Sequence, residues 1–153
     1  MTTIIWDGTY FAADRMSING SQKEEVRKLH RLDGGLFGAF AGSYGPGLML
    51  IDWFQNGADL SAYPAPQKTD EWTRLIVCAR SGQPSVYENH PVALTFLGPF
   101  HAWGSGSQYA LGALAAGATV GFAMEIACRF DPSSGIAYDI VDLQTGEMKE
   151  VRL

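Results

Sequence analysis

An α+β fold, with sheets in the interior and helices over their outer faces, is predicted from three observations on the 153 residues. Short apolar strands joined by glycine turns fill both ends of the chain and its middle. A segment led by Pro46 and two successive late stretches carry apolar residues at helical spacing. The composition, 46% hydrophobic and 18% charged with no polar tract or repeat, is that of a chain that buries a core. Each apolar helical stripe needs a sheet face to bury against, which sets the layered arrangement. One domain spanning residues 1–153 is expected from the length.

The elements follow in order. TTIIW, Asp7-Gly8 and TYFAAD read as two strands joined by a tight hairpin, because Asp-Gly tolerates the positive φ angles of a type I′ turn. INGSQ reads as a loop. The strand VRKLHRL, the turn DGG and the apolar strand LFGAFAG then make a second hairpin. A helix starts near Pro46, runs through LMLIDWF and stops around Gly57. The stretch from Ala58 to Asp70, with Pro64 and Pro66, reads as loop. Strand signals return in WTRLIVCAR, SVYENH and VALTFLG, with Gly82 and Pro91 marking the turns. After GSGS come two adjacent helices, QYALGALAAG and, behind Thr119 as N-cap, VGFAMEIACRF. GIAYDIVDL, QTG and EMKEVRL form a last hairpin whose first strand is the more apolar.

Several functions are disfavoured at once. A net charge of -5, with Arg27 to Arg31 as the densest basic stretch, argues against nucleic-acid binding. Cys78 and Cys128 are isolated from each other and from His30, His90 and His101, so neither a disulfide framework nor a metal site is expected, and the thiols should be reduced. No glycine-rich stretch matches a phosphate loop or dinucleotide fingerprint, so no cofactor is expected. No apolar run is long enough to cross a bilayer, and MTTIIWDGTY has neither a basic start nor a long apolar stretch; a cytoplasmic protein without membrane contacts is expected.

Five residues could carry chemistry. The Thr2 hydroxyl becomes nucleophilic only if a base takes its proton, and a terminal α-amine on the same residue, with ordinary pKa near ~8, could serve. The plainer role for Thr2 is the first β-branched residue of a strand. Alternation in VRKLHRL puts Lys28 with Val26, His30 and Leu32, opposite Arg27 and Arg31. A lysine there either meets a carboxylate in an active site or snorkels to the sheet edge. Asp14, at the end of the second strand, matters only if it meets Lys28; otherwise it caps a turn. Ser105 and Ser107, just before a helix, are either plain loop and N-cap or part of a site where backbone amides hold an oxyanion.

TTIIWDG at the start, AADR at Ala12 to Arg15, RKLHRL around Lys28, FGAFAG from Phe37, GSGSQYALGALAAG from Gly104 and FDPSSGIAYDIVDL from Phe130 lie in an order of their own. Together they resemble the proteasome β-subunit family, including the bacterial heat-shock peptidase that forms a ring beneath an unfolding ATPase, nearly end to end. The resemblance implies the four-layer αββα sandwich of the N-terminal nucleophile (Ntn) hydrolases. One helical layer would be reduced, because the proline-bearing stretch after Gly57 leaves room for one of the family's usual two helices. It implies Thr2 as nucleophile after removal of Met1, Lys28 as the positive group that lowers proton affinity nearby, and Asp14 as the acid that orients Lys28. Ser105, Asp131 and Ser134 match the supporting residues around the terminal amine. The oxyanion-binding amide falls at Ala39, where the family usually has glycine.

The function so implied is a threonine-type peptidase in a self-compartmentalised homo-oligomeric ring, acting on peptides or unfolded protein, with the existence of an ATPase partner left open. Trp53 and Phe54 are expected to be exposed and to supply subunit contacts. Two other readings stand beside it: a catalytically silent scaffold or assembly protein that retains Met1, and a small-molecule amidase on the same scaffold.

Overall fold

The computed structural model describes residues 2–64 and 73–153. Expectations that fall on Met1, on the loop through Pro66 to Asp70 and on Trp72 lie outside these residues.

The chain opens with β1 (Thr3–Trp6) and β2 (Tyr10–Asp14). Asp7 makes the turn between them, its Oδ1 accepting the amides of Thr9 and Tyr10 at 2.9 and 2.7 Å. There follow β3 (Met16–Asn19) and β4 (Gln22–Glu25), then β5 (Leu29–Arg31) and β6 (Phe37–Ala41). Helix α1 spans Tyr44–Gln55, two residues ahead of the expected Pro46 start. The middle strands are β7 (Arg74–Cys78), β8 (Ser85–Tyr87), β9 (Leu94–Thr95) and β10 (His101–Gly104). Helices α2 (Ser107–Ala115) and α3 (Val120–Phe130) come next, and the Thr119 side chain caps α3 by accepting the Phe122 amide. The chain closes with β11 (Ala137–Asp142) and β12 (Met148–Arg152).

Two five-stranded sheets, ordered β10-β1-β2-β11-β12 and β5-β6-β7-β8-β9, share a core. Ile4, Trp6, Phe11 and Trp103 from the first meet Leu29, Phe37, Ile76 and Val86 from the second. On the far face of the first sheet, Ile5, Ala12 and Tyr138 pack with Ala123, Met124 and Ala127 of α3 and Leu114 of α2. On the far face of the second, Phe40, Leu75 and Val77 pack with Leu50 and Ile51 of α1.

The expected fold class needs correction. Among the described residues the chain forms twelve strands in three sheets, every pairing antiparallel, and only three short helices. It is therefore a mainly antiparallel β structure and not an α+β four-layer αββα Ntn-hydrolase sandwich. Part of the reason is the segment INGSQ, read as loop. It lies in the β3–β4 hairpin, a small sheet of its own, turning at Gly20 with φ +61°. Arg15 fixes that hairpin by pairing with Glu25 at 3.2 Å, with Asp139 at 3.6 Å and with Glu150.

A second correction concerns subunit contacts. Trp53 is buried, and its ring meets Tyr63 and Tyr87 edge-on, while its indole N–H donates to the Asp59 carbonyl at 2.8 Å; Phe54 is half-buried against Trp53 and Tyr87. Aromatic rings gain both area and edge-to-face attraction inside a cluster, which outweighs exposure.

The shared core sets the expected stability pattern. Phe11→Ala, at a site with no exposure, should lower the unfolding free energy by about 3–5 kcal/mol in urea titrations. Leu97→Ala, at a side chain 87% exposed, should stay within about 0.5 kcal/mol.

Candidate active site

β1 begins at Thr3, opposite Gly104 of the edge strand β10, and Thr2 sits just before it, fully buried. Gly104 has φ +93°, and a Cβ there would stand 1.9 Å from the Thr2 carbonyl oxygen. A Cβ on Gly106 would stand 2.0 Å from Thr3 Oγ1. Only glycine lets the GSGS segment close this tightly over the start of β1.

Two buried polar clusters flank Thr2. In the first, Asp14 Oδ1 accepts the Thr3 amide at 2.8 Å and Lys28 Nζ at 2.9 Å, while Oδ2 accepts the amides of Met16 at 3.0 Å and Gly135 at 3.3 Å. Lys28 therefore does not snorkel to the sheet edge; it is buried against a carboxylate. Its strand is shorter than expected, starting at Leu29, so Lys28 leads into β5 and is not held by the ladder. Burial pushes the Lys28 ammonium below and the Asp14 carboxyl above their ordinary values, and each pulls the other back toward its charged form.

In the second cluster Asp131, which ends α3, accepts at Oδ2 the hydroxyls of Ser105 and Ser134, both at 2.7 Å. A hydroxyl has one proton to give. With that of Ser134 on Asp131, the 2.7 Å contact between Thr3 Oγ1 and Ser134 Oγ places the Thr3 hydroxyl as donor. With that of Ser105 also on Asp131, the Ser105 oxygen is left to accept, and it accepts the Thr2 N–H at 3.2 Å.

Thr2 also lines a cleft of about 460 Å³ at the end of the two-sheet core, together with Gly42, Arg74, Trp103, Ser105 and Ser107. A cleft of about 470 Å³ elsewhere, between α1 and residues 59–64, is lined by Leu48, Met49, Asp52 and Trp53, with no hydroxyl or thiol among its described lining residues.

Six of the seven residues that the resemblance assigns to the site thus come together: Thr2, Asp14, Lys28, Ser105, Asp131 and Ser134. Ala39 does not join them. It lies mid-strand in β6, fully buried in the shared core and register-paired with Leu29 on one side and Ile76 on the other, so its amide belongs to the sheet ladder. The residue at the cleft is Gly42, one position past the end of β6, with φ +120°. The signal that points to it is positional, because a strand flanked on both sides has amides to spare only beyond its last paired residue. Arg74, Trp103, Gly104 and the Thr3 hydroxyl were also missed; nothing local in sequence marks them.

Among the described residues no group of three or more His, Cys, Asp or Glu is placed to hold a metal. His30 and His101 lie elsewhere, bonded at 3.1 Å to the Arg27 carbonyl and the Gln83 side chain. Compared with protein-family models and with curated protein sequences, the chain matches none.

Two predictions follow from this geometry. Lys28→Met leaves the Asp14 carboxylate buried beside three backbone donors and should cost about 3–5 kcal/mol in chemical denaturation. Adding Asp14→Asn should recover part of that loss, and strict additivity in the double-mutant cycle would show the pair to be uncoupled. Burial pushes the thiol of Cys128 up to about 12 and that of Cys78 well above its ordinary value. At pH 8 about 10⁻⁴ of Cys128 is thiolate, so both cysteines should resist iodoacetamide in native protein and react once it is unfolded.

Proposed function

We propose that the protein is a threonine-type amide hydrolase whose nucleophile is the hydroxyl of Thr2, activated by the residue's own nitrogen. The observation that carries this reading is the Thr2 N···Ser105 Oγ contact at 3.2 Å, on a hydroxyl anchored to Asp131, at the wall of a substrate-sized cleft. A nitrogen fixed by donating to Ser105 keeps the geometry needed to take a proton from its own side chain. For that it must be an amine, because an amide lone pair is delocalised and does not act as a base. Removal of Met1 is thus the activating step.

The sequence of events then follows from the residues present. The Thr2 hydroxyl attacks the substrate carbonyl while the amine takes its proton; the amine returns that proton to the leaving nitrogen, and water hydrolyses the acyl-enzyme. Lys28, held by Asp14, contributes positive charge beside the nucleophile and disfavours protonation of the amine. The Gly42 amide replaces Ala39 as the donor to the oxyanion. Resemblance to the proteasome β-subunit family extends the reading to a cytoplasmic homo-oligomeric ring acting on peptides or unfolded protein.

A second reading, a catalytically silent scaffold, is favoured by one observation: with Met1 attached, the Thr2 nitrogen is an amide whose hydrogen bond to Ser105 is already satisfied.

Intact mass and N-terminal sequencing, followed by incubation with an epoxyketone or β-lactone probe, separate the two. A chain starting at Thr2 should gain the probe's mass, and Thr2→Ala should lose both labelling and peptide turnover, the latter on the order of 10⁴-fold or more. A chain that keeps Met1 in its natural host and ignores the probe would establish the scaffold.

A further inference from the structure

The proposal concerns what the cleft accepts, and it rests on the hydrolase reading for its catalytic arm only. Side chains on β7 alternate between two environments. Ile76 and Cys78 face the core shared by the sheets, whereas Leu75 and Val77 face α1. Period two places Arg74 on the same side as Ile76 and Cys78. Its register partner Ala41 is also in the shared core. An arginine therefore stands where a core residue would otherwise continue, at the end of the inter-sheet space where the cleft beside Thr2 opens.

Arg74 is the one charged residue among the described residues lining that cleft. Around it are Ala41, Ala102 and Trp103, which offer no counter-charge and lower the local dielectric. Only 16% of its side-chain surface is exposed, and Glu88, outside the cleft lining, pairs with it at 3.3 Å. Burial lowers the Arg74 pKa and the Glu88 charge opposes that shift, so the guanidinium is under a desolvation cost that an added carboxylate would relieve. Its planar fork matches a carboxylate in two parallel bonds.

We propose that Arg74 makes the cleft beside Thr2 selective for substrates that carry a carboxylate next to the bond to be cut. That carboxylate is either an acidic side chain on the residue contributing the scissile carbonyl or a terminal carboxylate close to it. With a net charge of -5 the protein as a whole repels acidic ligands, so the selectivity is a short-range property of this one side chain. Glu88 competes with the substrate for the same guanidinium. Removing its charge should therefore strengthen acid selectivity, whereas a purely structural Arg74–Glu88 strut would only lose stability.

The test uses protein with Met1 removed and fluorogenic peptides that differ only in Glu, Gln or Leu before the scissile amide. A companion set has a terminal carboxylate or a terminal amide just beyond the scissile bond. The expected result is kcat/KM at least about tenfold higher for one carboxylate set over its neutral counterpart; which set responds identifies the source. Arg74→Gln should flatten that ratio and Glu88→Gln should raise it. Equal ratios in wild type, or a ratio untouched by either variant, would overturn the proposal while leaving the hydrolase intact. Absence of any turnover would instead remove the hydrolase reading. Titrating the Thr2→Ala protein with the same peptides, followed by calorimetry, then decides: carboxylate-dependent binding lost in the added Arg74→Gln variant supports the inference, and equal binding of all peptides defeats it. If Arg74→Gln does not fold, Arg74→Lys together with Glu88→Gln carries the same comparison.

Discussion

A carboxylate closed off from water must be met by donors on every side, and at Asp14 four of them arrive from four parts of the chain. The Thr3 amide brings β1, the Met16 amide brings the start of β3, Lys28 brings the approach to β5, and the Gly135 amide brings the loop ahead of β11. Loss of any one would leave buried charge or a buried polar group unmatched, a cost comparable to a large share of a domain's stability. The convergence also explains a local oddity. Ile136, a β-branched residue, sits at φ +66°, a conformation that costs on the order of 1–3 kcal/mol. It is held there by its neighbours: Gly135 donates to Asp14, Ala137 donates to the Gly135 carbonyl at 2.8 Å, and Leu153 donates to the Ile136 carbonyl at 3.2 Å.

The same anchor fixes where chemistry can occur. With the Thr3 amide on Asp14 and its hydroxyl on Ser134, the first turn of chain before β1 has little freedom. Thr2 then lies on the face of β1 that continues through Ile4 into the shared core, and the cleft opens where that core runs out. Trp103, Ala41 and Arg74 line it because each is the last inward-facing position of its own strand in register with the next. The cleft is thus a consequence of strand ends that fail to close, with glycines at 104 and 106 permitting the loop above to approach without filling it.

What could be read from sequence divides along the same physical line. The Thr119 cap and the apolar first strand of the last hairpin are local signals that sit where they are expected, and a turn does form at Asp7-Gly8, but only Gly8 takes a positive φ, +88°, so it is not the type I′ turn that Asp-Gly suggests. β4 was missed because QKEE is exposed along its whole length and shows no alternation to detect. Trp53 was misplaced because the rings that bury it, Tyr63 and Tyr87, come from distant segments. The fold class was overdrawn toward helices, since three apolar helical stripes say nothing about how many short strands lie between them. For the site, spacing alone left Lys28 undecided between a buried partner and the sheet edge, and resemblance supplied the grouping. Residues as far apart as Thr3 and Ser134, 131 positions, meet only through topology. Ala39 failed because motif position was used without asking whether its amide had already been taken by a neighbouring strand.

The polar relay Ser105–Asp131–Ser134 has one property that bears on the proposed chemistry. Ser105 accepts a single N–H from Thr2, and an amide and an amine can each supply it. The hydrogen bond that Ser105 accepts is therefore available whichever form the nitrogen takes. An amide leaves its lone pair conjugated with the preceding carbonyl; an amine held by the same hydrogen bond keeps a localised pair that is able to take a proton. Activation on this reading needs no rearrangement of Asp14, Lys28 or Asp131. It requires only hydrolysis of the Met1–Thr2 peptide bond at the edge of a site already assembled, which removes one residue and turns the Thr2 nitrogen from an amide into an amine.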